Sequence, residues 1–171
     1  RKMSVPEKEN KGQEPKKKLG FPAVLKRIAS YCAYQERCLS EVKDKLEDYH
    51  LSLEESEKII SKLVKENFIN EERFAASFVS GRFLIKKWGK VRIRQELKMR
   101  SVPNELINMA LNQIDDEAYQ ETLKALAQRK WMLTRENDLL KKKVKVQRFL
   151  LFRGFEPELI IHTLDAIPND I

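Results

Sequence analysis

The sequence predicts an all-α protein made of three tandem three-helix repeats, arranged as an elongated, curved chain of modules. Two observations favour this fold. From Phe21 onward, glycine and proline are scarce, and apolar residues recur every three or four positions, the spacing of one face of a helix. In addition, one apolar pattern occurs three times along the chain, which is typical of repeat proteins.

The repeat rests on six positions. Its first copy comprises Val42, Leu46, Leu51, Ile59, Ile60 and Leu63. The second copy lies 51 residues further on (93 − 42), at Ile93, Leu97, Val102, Ala110, Leu111 and Ile114. The third lies another 53 residues on (146 − 93), at Val146, Leu150, Phe155, Thr163, Leu164 and Ile167. Three-helix units of this length are close to the lower limit for burying a core alone, so neighbouring units should pack together. The alternative is a single helical bundle in which the match is accidental.

The chain divides into a tail and three units. Residues 1–20 hold seven basic and three acidic residues and almost nothing apolar, which predicts a flexible basic tail. We expect the three repeats to cover residues 21–68, 69–114 and 115–171.

Each repeat should contain a leading helix followed by a helix, a turn and another helix. The leading helices are expected at Pro22–Gln35, Glu71–Ile85 and Asp116–Met132. The turns are marked by the sequences YHLS, RSVP and RGFEP. Ser52 is a candidate N-cap, and Pro103 and Pro157 suit the first turn of a helix.

The motifs that would indicate catalysis or a cofactor are missing from the sequence. It contains no phosphate-binding loop, dinucleotide fingerprint, zinc-protease motif or nucleophile elbow, so we expect a non-enzymatic protein without a cofactor. Cys32, Cys38, His50 and His162 are too scattered to predict a disulfide framework or a metal site. The longest apolar runs are too short to span a bilayer, and no secretory signal is visible. These features predict a cytoplasmic protein.

Charge is distributed unevenly along the chain. The net charge is +8 and the isoelectric point is near 9.4, which favours acidic or polyanionic partners. The segments Arg82–Arg100 and Arg129–Arg153 each carry a net charge of +7, whereas Glu36–Glu72 carries −5. This separation indicates a binding surface in the second and third units more strongly than the net charge alone.

Ten cations are candidate contacts for a partner protein or DNA. They are Lys86, Lys87, Lys90, Arg92, Arg94, Lys98 and Arg100 in the middle repeat, and Lys141, Lys145 and Arg148 in the last. On a helix, the last three form one stripe with Phe152. The alternative is a solvated face that keeps the protein soluble. Trp88 either stacks on a base or packs between helices.

The turns have the outline of a helix-turn-helix, but the sequence argues against base readout. The candidate recognition helices, PNELINMALNQI and PELIIHTLDAI, contain no lysine or arginine.

One long stretch resembles a known family signature. The run from Ile60 to Val102, IxxLVxxxFINEERFAxxFVxxRxxxKKWGxxRIRQELKMRSV, resembles that of the RecX family, regulators of the RecA recombinase. AYQERCLSEVKDKL, at Ala33–Leu46, is similar to the opening motif of that family. The resemblance covers roughly residues 22–167. It departs from the family pattern at Cys38, where a capping Ser or Thr is common, and at Asn70, where an acidic residue is usual.

The resemblance implies a fold of tandem three-helix repeats and a regulatory function. Proteins of this family bind RecA filaments on single-stranded DNA, lie along the filament groove, and restrain filament extension, ATP hydrolysis and strand exchange. They thereby modulate recombination, DNA repair and the SOS response, and family members also bind DNA themselves. We therefore expect as partners a RecA filament and DNA, single-stranded or double-stranded. We expect a monomer with no membrane partner.

Two other functions fit the residues. One is a helical module that binds DNA or RNA directly and needs no RecA. The other is a helical-repeat scaffold for an unrelated protein.

Overall fold

The computed structural model describes residues 18–168, which form nine α-helices and no strand. The helices are α1 (Phe21–Tyr34), α2 (Leu39–Glu47), α3 (Leu53–Lys65), α4 (Glu71–Leu84), α5 (Lys90–Met99), α6 (Asn104–Asn112), α7 (Asp116–Leu133), α8 (Leu139–Arg153) and α9 (Pro157–Asp165). The all-α prediction is confirmed. Most of the predicted tail, residues 1–17, lies outside the described residues.

The helices form three consecutive three-helix groups, and this confirms the predicted repeat architecture. Of the eighteen positions in the sequence pattern, all are buried except Leu51, Ile60 and Thr163, which are half-buried. The repeated pattern is therefore the core of each group. The elongated, curved form and the boundaries 21–68, 69–114 and 115–171 stay predictions.

The helix starts follow the capping signals with one exception. The Ser52 hydroxyl accepts the Glu55 N–H at 3.2 Å, so the predicted cap is confirmed. Pro157 is the first residue of α9, as expected. Pro103, in contrast, is the N-cap of α6 and lies just before its first turn. Its backbone is extended, as an N-cap requires, and its carbonyl accepts the Ile107 N–H at 3.1 Å.

The buried side chains form two clusters. The first lies within α1–α3 and includes Val24, Ile28 and Val42. The second runs continuously through α4–α9, so the second and third repeats share one core. Cys38, at the start of α2, is fully buried and belongs to this second cluster. It therefore ties the first repeat to the other two.

None of the nine helices described combines the length and the apolar character needed to cross a bilayer.

Candidate partner-binding surface

The start of α5 is capped by the end of α8. The N-cap of α5 is Gly89, which has no side chain to accept a hydrogen bond from the first turn. Its own N–H donates to the Arg153 carbonyl at 2.8 Å, and the Val91 N–H donates to the Gly154 carbonyl at 3.0 Å. The N-terminus of α5 thus meets the C-terminus of α8, an arrangement that pairs the positive end of one helix dipole with the negative end of another.

Tyr119 provides the third contact at this junction. Its hydroxyl accepts the Lys90 N–H at 2.9 Å and donates to the Glu156 carboxylate at 2.8 Å. The Lys90 ammonium lies 4.9 Å from the Tyr119 ring centroid and 3.8 Å from the Asp116 carboxylate. Burial raises the pKa of Tyr119; the nearby Glu156 raises it further, and the Lys90 N–H opposes the rise. The phenol therefore stays neutral and serves as both donor and acceptor.

Two glycines allow the backbones of the second and third repeats to touch. A Cβ on Gly89 would lie 2.2 Å from the Gly154 carbonyl oxygen, far inside van der Waals contact. Gly154 has φ of +95°, and a Cβ there would lie 2.2 Å from the Cβ of Arg92. Any other residue at Gly89 would separate the repeats, and at Gly154 it would also be strained.

The junction between the first and second repeats uses equivalent positions but different atoms. The Ser40 hydroxyl donates to the Arg100 carbonyl at 2.9 Å. Ser40 corresponds to Val91, and Arg100 corresponds to Arg153, by the offsets of 51 and 53 residues. At the other junction, the Arg153 carbonyl accepts the Gly89 N–H, and Val91 donates its N–H to the Gly154 carbonyl. The carbonyl at the Arg100 position therefore accepts from a side chain, whereas that at the Arg153 position accepts from the backbone. The Arg100 guanidinium also lies 3.9 Å from the Glu41 carboxylate.

Arg73 connects the start of α4 to the first repeat through hydrogen bonds. Its Nε donates to Glu36 Oε1 at 2.6 Å, and its Nη2 donates to the Asn67 carbonyl at 2.9 Å. The Asn70 side chain accepts the Arg73 N–H at 2.9 Å and caps the helix. The Asn that departs from the family pattern thus retains the capping function.

A line of alternating arginine and aromatic side chains crosses the second repeat and ends on the third. We call it the arginine–aromatic ladder. Its members, in spatial order, are Arg100, Phe78, Arg82, Trp88, Arg92 and Phe152. From each guanidinium carbon to the neighbouring ring centroid, the distances are 4.9, 4.5, 5.3, 3.9 and 5.0 Å in that order. Trp88 is half-buried and packs against the second core cluster.

Three of the ten predicted contact residues hold junctions between repeats. Lys90 lies on Tyr119, as described above. Arg92 stacks on Trp88 at 3.9 Å and donates to the Phe152 carbonyl at 3.4 Å. Arg100 contacts both Glu41 and Glu96, the latter at 2.9 Å. These three cations therefore contribute to the packing of the repeats as well as to the surface charge.

The other seven candidates lie on the surface. Arg94 donates to the Asn108 side chain at 2.6 Å, and Lys145 donates to Glu136 at 2.9 Å. The remaining five are exposed, and their side chains make no hydrogen bond or ion pair within residues 18–168. They are Lys86, Lys87, Lys98, Lys141 and Arg148. Their charge is available to a partner.

The predicted stripe on α8 is exposed and also carries apolar side chains. Lys141, Lys145 and Arg148 are exposed, and Phe152 is 74% exposed. Leu140 and Val144, on the same helix, are 77% and 44% exposed. This α8 face combines cations with apolar surface, a combination suited to contact with another macromolecule.

The sequence did not identify Arg82 or Phe78 as functional residues. Arg82 lies in the basic segment Arg82–Arg100, and both residues lie in the run from Ile60 to Val102 that resembles the family signature. The signal was present in the spacing, because Phe78 and Arg82, like Trp88 and Arg92, are four residues apart on one helical face or turn. Nothing in the sequence indicated that the two pairs lie side by side.

Neither cysteine is a reactive centre. Cys32 and Cys38 are both buried and unbonded to each other. Burial raises the pKa of both thiols, so they remain protonated near neutral pH. Within residues 18–168, no cluster of three or more metal-ligating side chains is found.

Comparison with protein families gives two matches. A sequence model described as RecX, second three-helix domain, matches residues 70–111. The model of the third three-helix domain of RecX matches residues 116–164. These ranges coincide with α4–α6 and α7–α9.

Individual relatives agree with this assignment. The regulatory protein RecX of Prosthecochloris aestuarii is 29% identical over 143 residues, covering 84% of this chain and 92% of the relative. RecX of Yersinia enterocolitica is 38% identical over 118 residues, covering 67% of this chain and 64% of the relative. RecX of Lactobacillus delbrueckii is 29% identical, and the match spans only 52% of its length.

Solved structures show the same fold. A crystal structure of a regulatory protein RecX has a TM-score of 0.78 and 27% identity, covering 85% of this chain and 73% of that one. The structure of RecX from Lactobacillus salivarius has a TM-score of 0.76 and 25% identity, covering 86% of this chain and 97% of that one.

Proposed function

Because this chain belongs to the RecX family of regulatory proteins, we propose that it regulates a RecA recombinase by binding RecA filaments assembled on single-stranded DNA. In this proposal the three repeats lie along the filament groove. They restrain filament extension, ATP hydrolysis and strand exchange, and so modulate recombinational DNA repair and the SOS response. The protein acts in the cytoplasm, as a monomer and without catalysis or a cofactor.

The observation that best supports a binding role is the group of exposed cations on the second and third repeats. Lys98 near the end of α5, and Lys141 and Arg148 on α8, are exposed, and their side chains make no hydrogen bond or ion pair within the described residues. The fold buries its apolar pattern without these charges, which leaves them accessible to a partner. Acidic surfaces of RecA protomers and DNA phosphates are the targets that the proposal assigns to them.

The repeat architecture supplies a physical reason for binding along a filament. The junctions hold neighbouring repeats in a fixed relation, so that each repeat can meet a successive protomer. Several weak contacts then act together, because the first contact raises the effective concentration of the next.

Direct binding of DNA or RNA without RecA is the second candidate. The arginine–aromatic ladder supports it, since stacked arginine and aromatic side chains are typical of single-strand binding surfaces. A scaffold for an unrelated protein would instead predict a stable partner whose binding depends neither on RecA nor on DNA.

The proposal predicts that the protein, added in stoichiometric amounts, lowers the DNA-dependent ATPase and strand exchange of its cognate RecA. The double variant Lys141→Glu with Arg148→Glu should lose most of this inhibition, because it reverses two exposed charges on α8 that form no ion pair within residues 18–168. Electron microscopy of preformed filaments, with and without the protein, would show whether filaments shorten.

A matched variant controls for net charge. Lys26 and Arg27 are both exposed on α1, and Lys26→Glu with Arg27→Glu changes the total charge by the same amount. This variant should inhibit like the wild type. If both variants lose inhibition equally, the effect depends on overall charge and not on the α8 face. If the wild-type protein leaves RecA activity unchanged, the proposed function is refuted.

A further inference from the structure

The Arg82 guanidinium lies between two aromatic rings and has no acidic partner among residues 18–168. Its central carbon is 4.5 Å from the centroid of the Phe78 ring and 5.3 Å from that of Trp88. Its Nε is buried and donates to nothing in the described chain. Arg82 is half-buried, and its side chain forms no ion pair within residues 18–168.

Such an arrangement is costly unless an anion completes it. A guanidinium has five N–H donors, and stacking on ring faces satisfies none of them. Buried polar groups in folded proteins are normally hydrogen-bonded, and an unpartnered one calls for an explanation.

The acidic groups of the neighbouring junctions are engaged elsewhere. Glu96 pairs with Arg100 at 2.9 Å, Glu36 pairs with Arg73 at 2.6 Å, and Glu156 accepts the Tyr119 hydroxyl. The fold therefore orients Arg82 by stacking and leaves its charge for a ligand.

We propose that Arg82 and the arginine–aromatic ladder form a binding site for the phosphodiester backbone of single-stranded nucleic acid. The inference rests on the proposed function and deepens it, since it names the surface that would contact DNA. Planar guanidinium groups bind phosphate oxygens through paired hydrogen bonds. Stacking between Phe78 and Trp88 fixes the plane of Arg82 in advance, so less entropy is lost when the phosphate binds.

The ends of the ladder favour nucleic acid over an acidic protein segment. Phe152 contacts Arg92 at 5.0 Å yet is 74% exposed, so its ring is accessible to an unpaired base. Lys86 and Lys87 are exposed and lie just before Trp88 in the chain. The Lys86 carbonyl accepts a hydrogen bond from Arg153 at 2.7 Å, which holds this turn against α8. Cations and one accessible ring thus occur on the same surface, and stacking on that ring requires a single strand, whose bases are free.

The site is tested by titrating labelled oligothymidylate with the full chain in the absence of RecA, at two salt concentrations. Arg82→Gln should bind on the order of ten-fold more weakly, the effect of losing hydrogen bonds to a charged group. Its salt slope should fall by about 0.7, the value for one lost phosphate contact on a single strand. Arg27→Gln removes the same charge from an exposed position on α1 and should change neither quantity.

Two further probes separate the phosphate from the base. Phe152→Leu should weaken binding of oligothymidylate but not of inorganic polyphosphate, which has no bases. Arg82→Gln should weaken both. Circular dichroism will show whether Arg82→Gln is folded. If it is not, Phe152→Leu still tests the proposal, because Phe152 is exposed and its substitution should leave the fold intact.

Three results would overturn the proposal. The first is a loss in Arg82→Gln no larger than in Arg27→Gln. The second is oligothymidylate binding by Phe152→Leu equal to that of the wild type. The third is that polyglutamate binds as tightly as oligothymidylate and that Arg82→Gln weakens both equally. That result would assign the site to an acidic protein segment. RecA is absent from every titration, so failure here is distinguishable from failure to inhibit RecA.

Discussion

Tyr119 illustrates how one residue joins two repeats. It lies in the first turn of α7, in the third repeat. Its hydroxyl nevertheless accepts the first N–H of α5, in the second repeat, and donates to Glu156, just before α9. Its ring also packs between Phe83 and Phe155, at centroid distances of 5.8 and 5.3 Å. A phenylalanine would fill the same space but would leave the Lys90 N–H without its acceptor, at a cost of about 1–3 kcal/mol.

The pKa of Tyr119 leads to a prediction about alkaline stability. Because the folded chain raises this pKa above the ordinary value of about 10, the unfolded chain loses the proton first as pH rises. The free energy of unfolding should therefore fall as pH rises above about 10, where the unfolded state binds fewer protons than the folded state. Urea unfolding at about pH 9 and about pH 11 should show a smaller fall for Tyr119→Phe than for the wild type.

Tyr34→Phe is the control for this measurement. Tyr34 is 84% exposed and is the last residue of α1, in the first repeat, so its variant should retain the wild-type pH dependence. Equal pH dependence in Tyr119→Phe and the wild type would contradict the prediction.

At the scale of helices, the start of α5 depends on a neighbouring element. Four of the nine helices described begin at a residue whose own side chain accepts a backbone N–H of the first turn, namely α3, α4, α7 and α8. In contrast, α5 begins at Gly89 and is capped by α8. The start of α5 should therefore be well ordered only while the third repeat is packed against it.

Gly89→Ala tests this dependence. The new methyl would lie 2.2 Å from the Gly154 carbonyl oxygen, and both partners are backbone, so the helices must separate. We expect a loss of about 1–3 kcal/mol in the free energy of unfolding, the usual cost of overpacking. Denaturant unfolding measures it.

Gly81→Ala makes the same chemical change where space is available. Apart from the adjoining residues and the backbone of α4 itself, no atom of residues 18–168 lies within 4 Å of the added methyl, and Gly81 is inside α4. Alanine is the better helix former, so this variant should be more stable by about 0.5–1 kcal/mol. A comparable loss in both glycine variants would show that the Gly89 contact has no special role.

At the scale of the whole molecule, the two hydrophobic clusters divide the chain unequally. The first repeat has its own core, while α4–α9 share another. Cys38 and a few polar contacts, such as Ser40 with Arg100, join the two parts. The parts should consequently open to solvent with different free energies.

Ile28→Ala should show this difference. Ile28 is fully buried in the first cluster, and its truncation should cost about 2–5 kcal/mol. Native-state hydrogen exchange should then quicken in α1–α3 much more than in α4–α9. Leu123→Ala, in the second cluster, should produce the opposite pattern, and uniform loss of protection in either variant would mean that the chain opens as one unit.

The sequence by itself determined the helices, the repeat and the buried positions. Hydrophobic periodicity is local, so the sequence of each helix is enough to predict that Val42, Ile93 and Val146 are buried. The separation of charge along the chain was equally visible. It also indicated which segments carry the proposed binding surface, because charge is a property of the residues and does not depend on the fold.

Only the tertiary structure decided which of those cations pack and which remain exposed. Arg92 meets Phe152, and Lys90 meets Tyr119, across separations of 60 and 29 residues. The contact between Gly89 and Gly154 joins residues that are 65 positions apart in the sequence (154 − 89). No local pattern encodes such pairs, because they depend on how one repeat is rotated against the next. The same reason applies to the half-buried Arg82: its two aromatic neighbours, and the lack of an acidic partner within residues 18–168, are visible only in three dimensions.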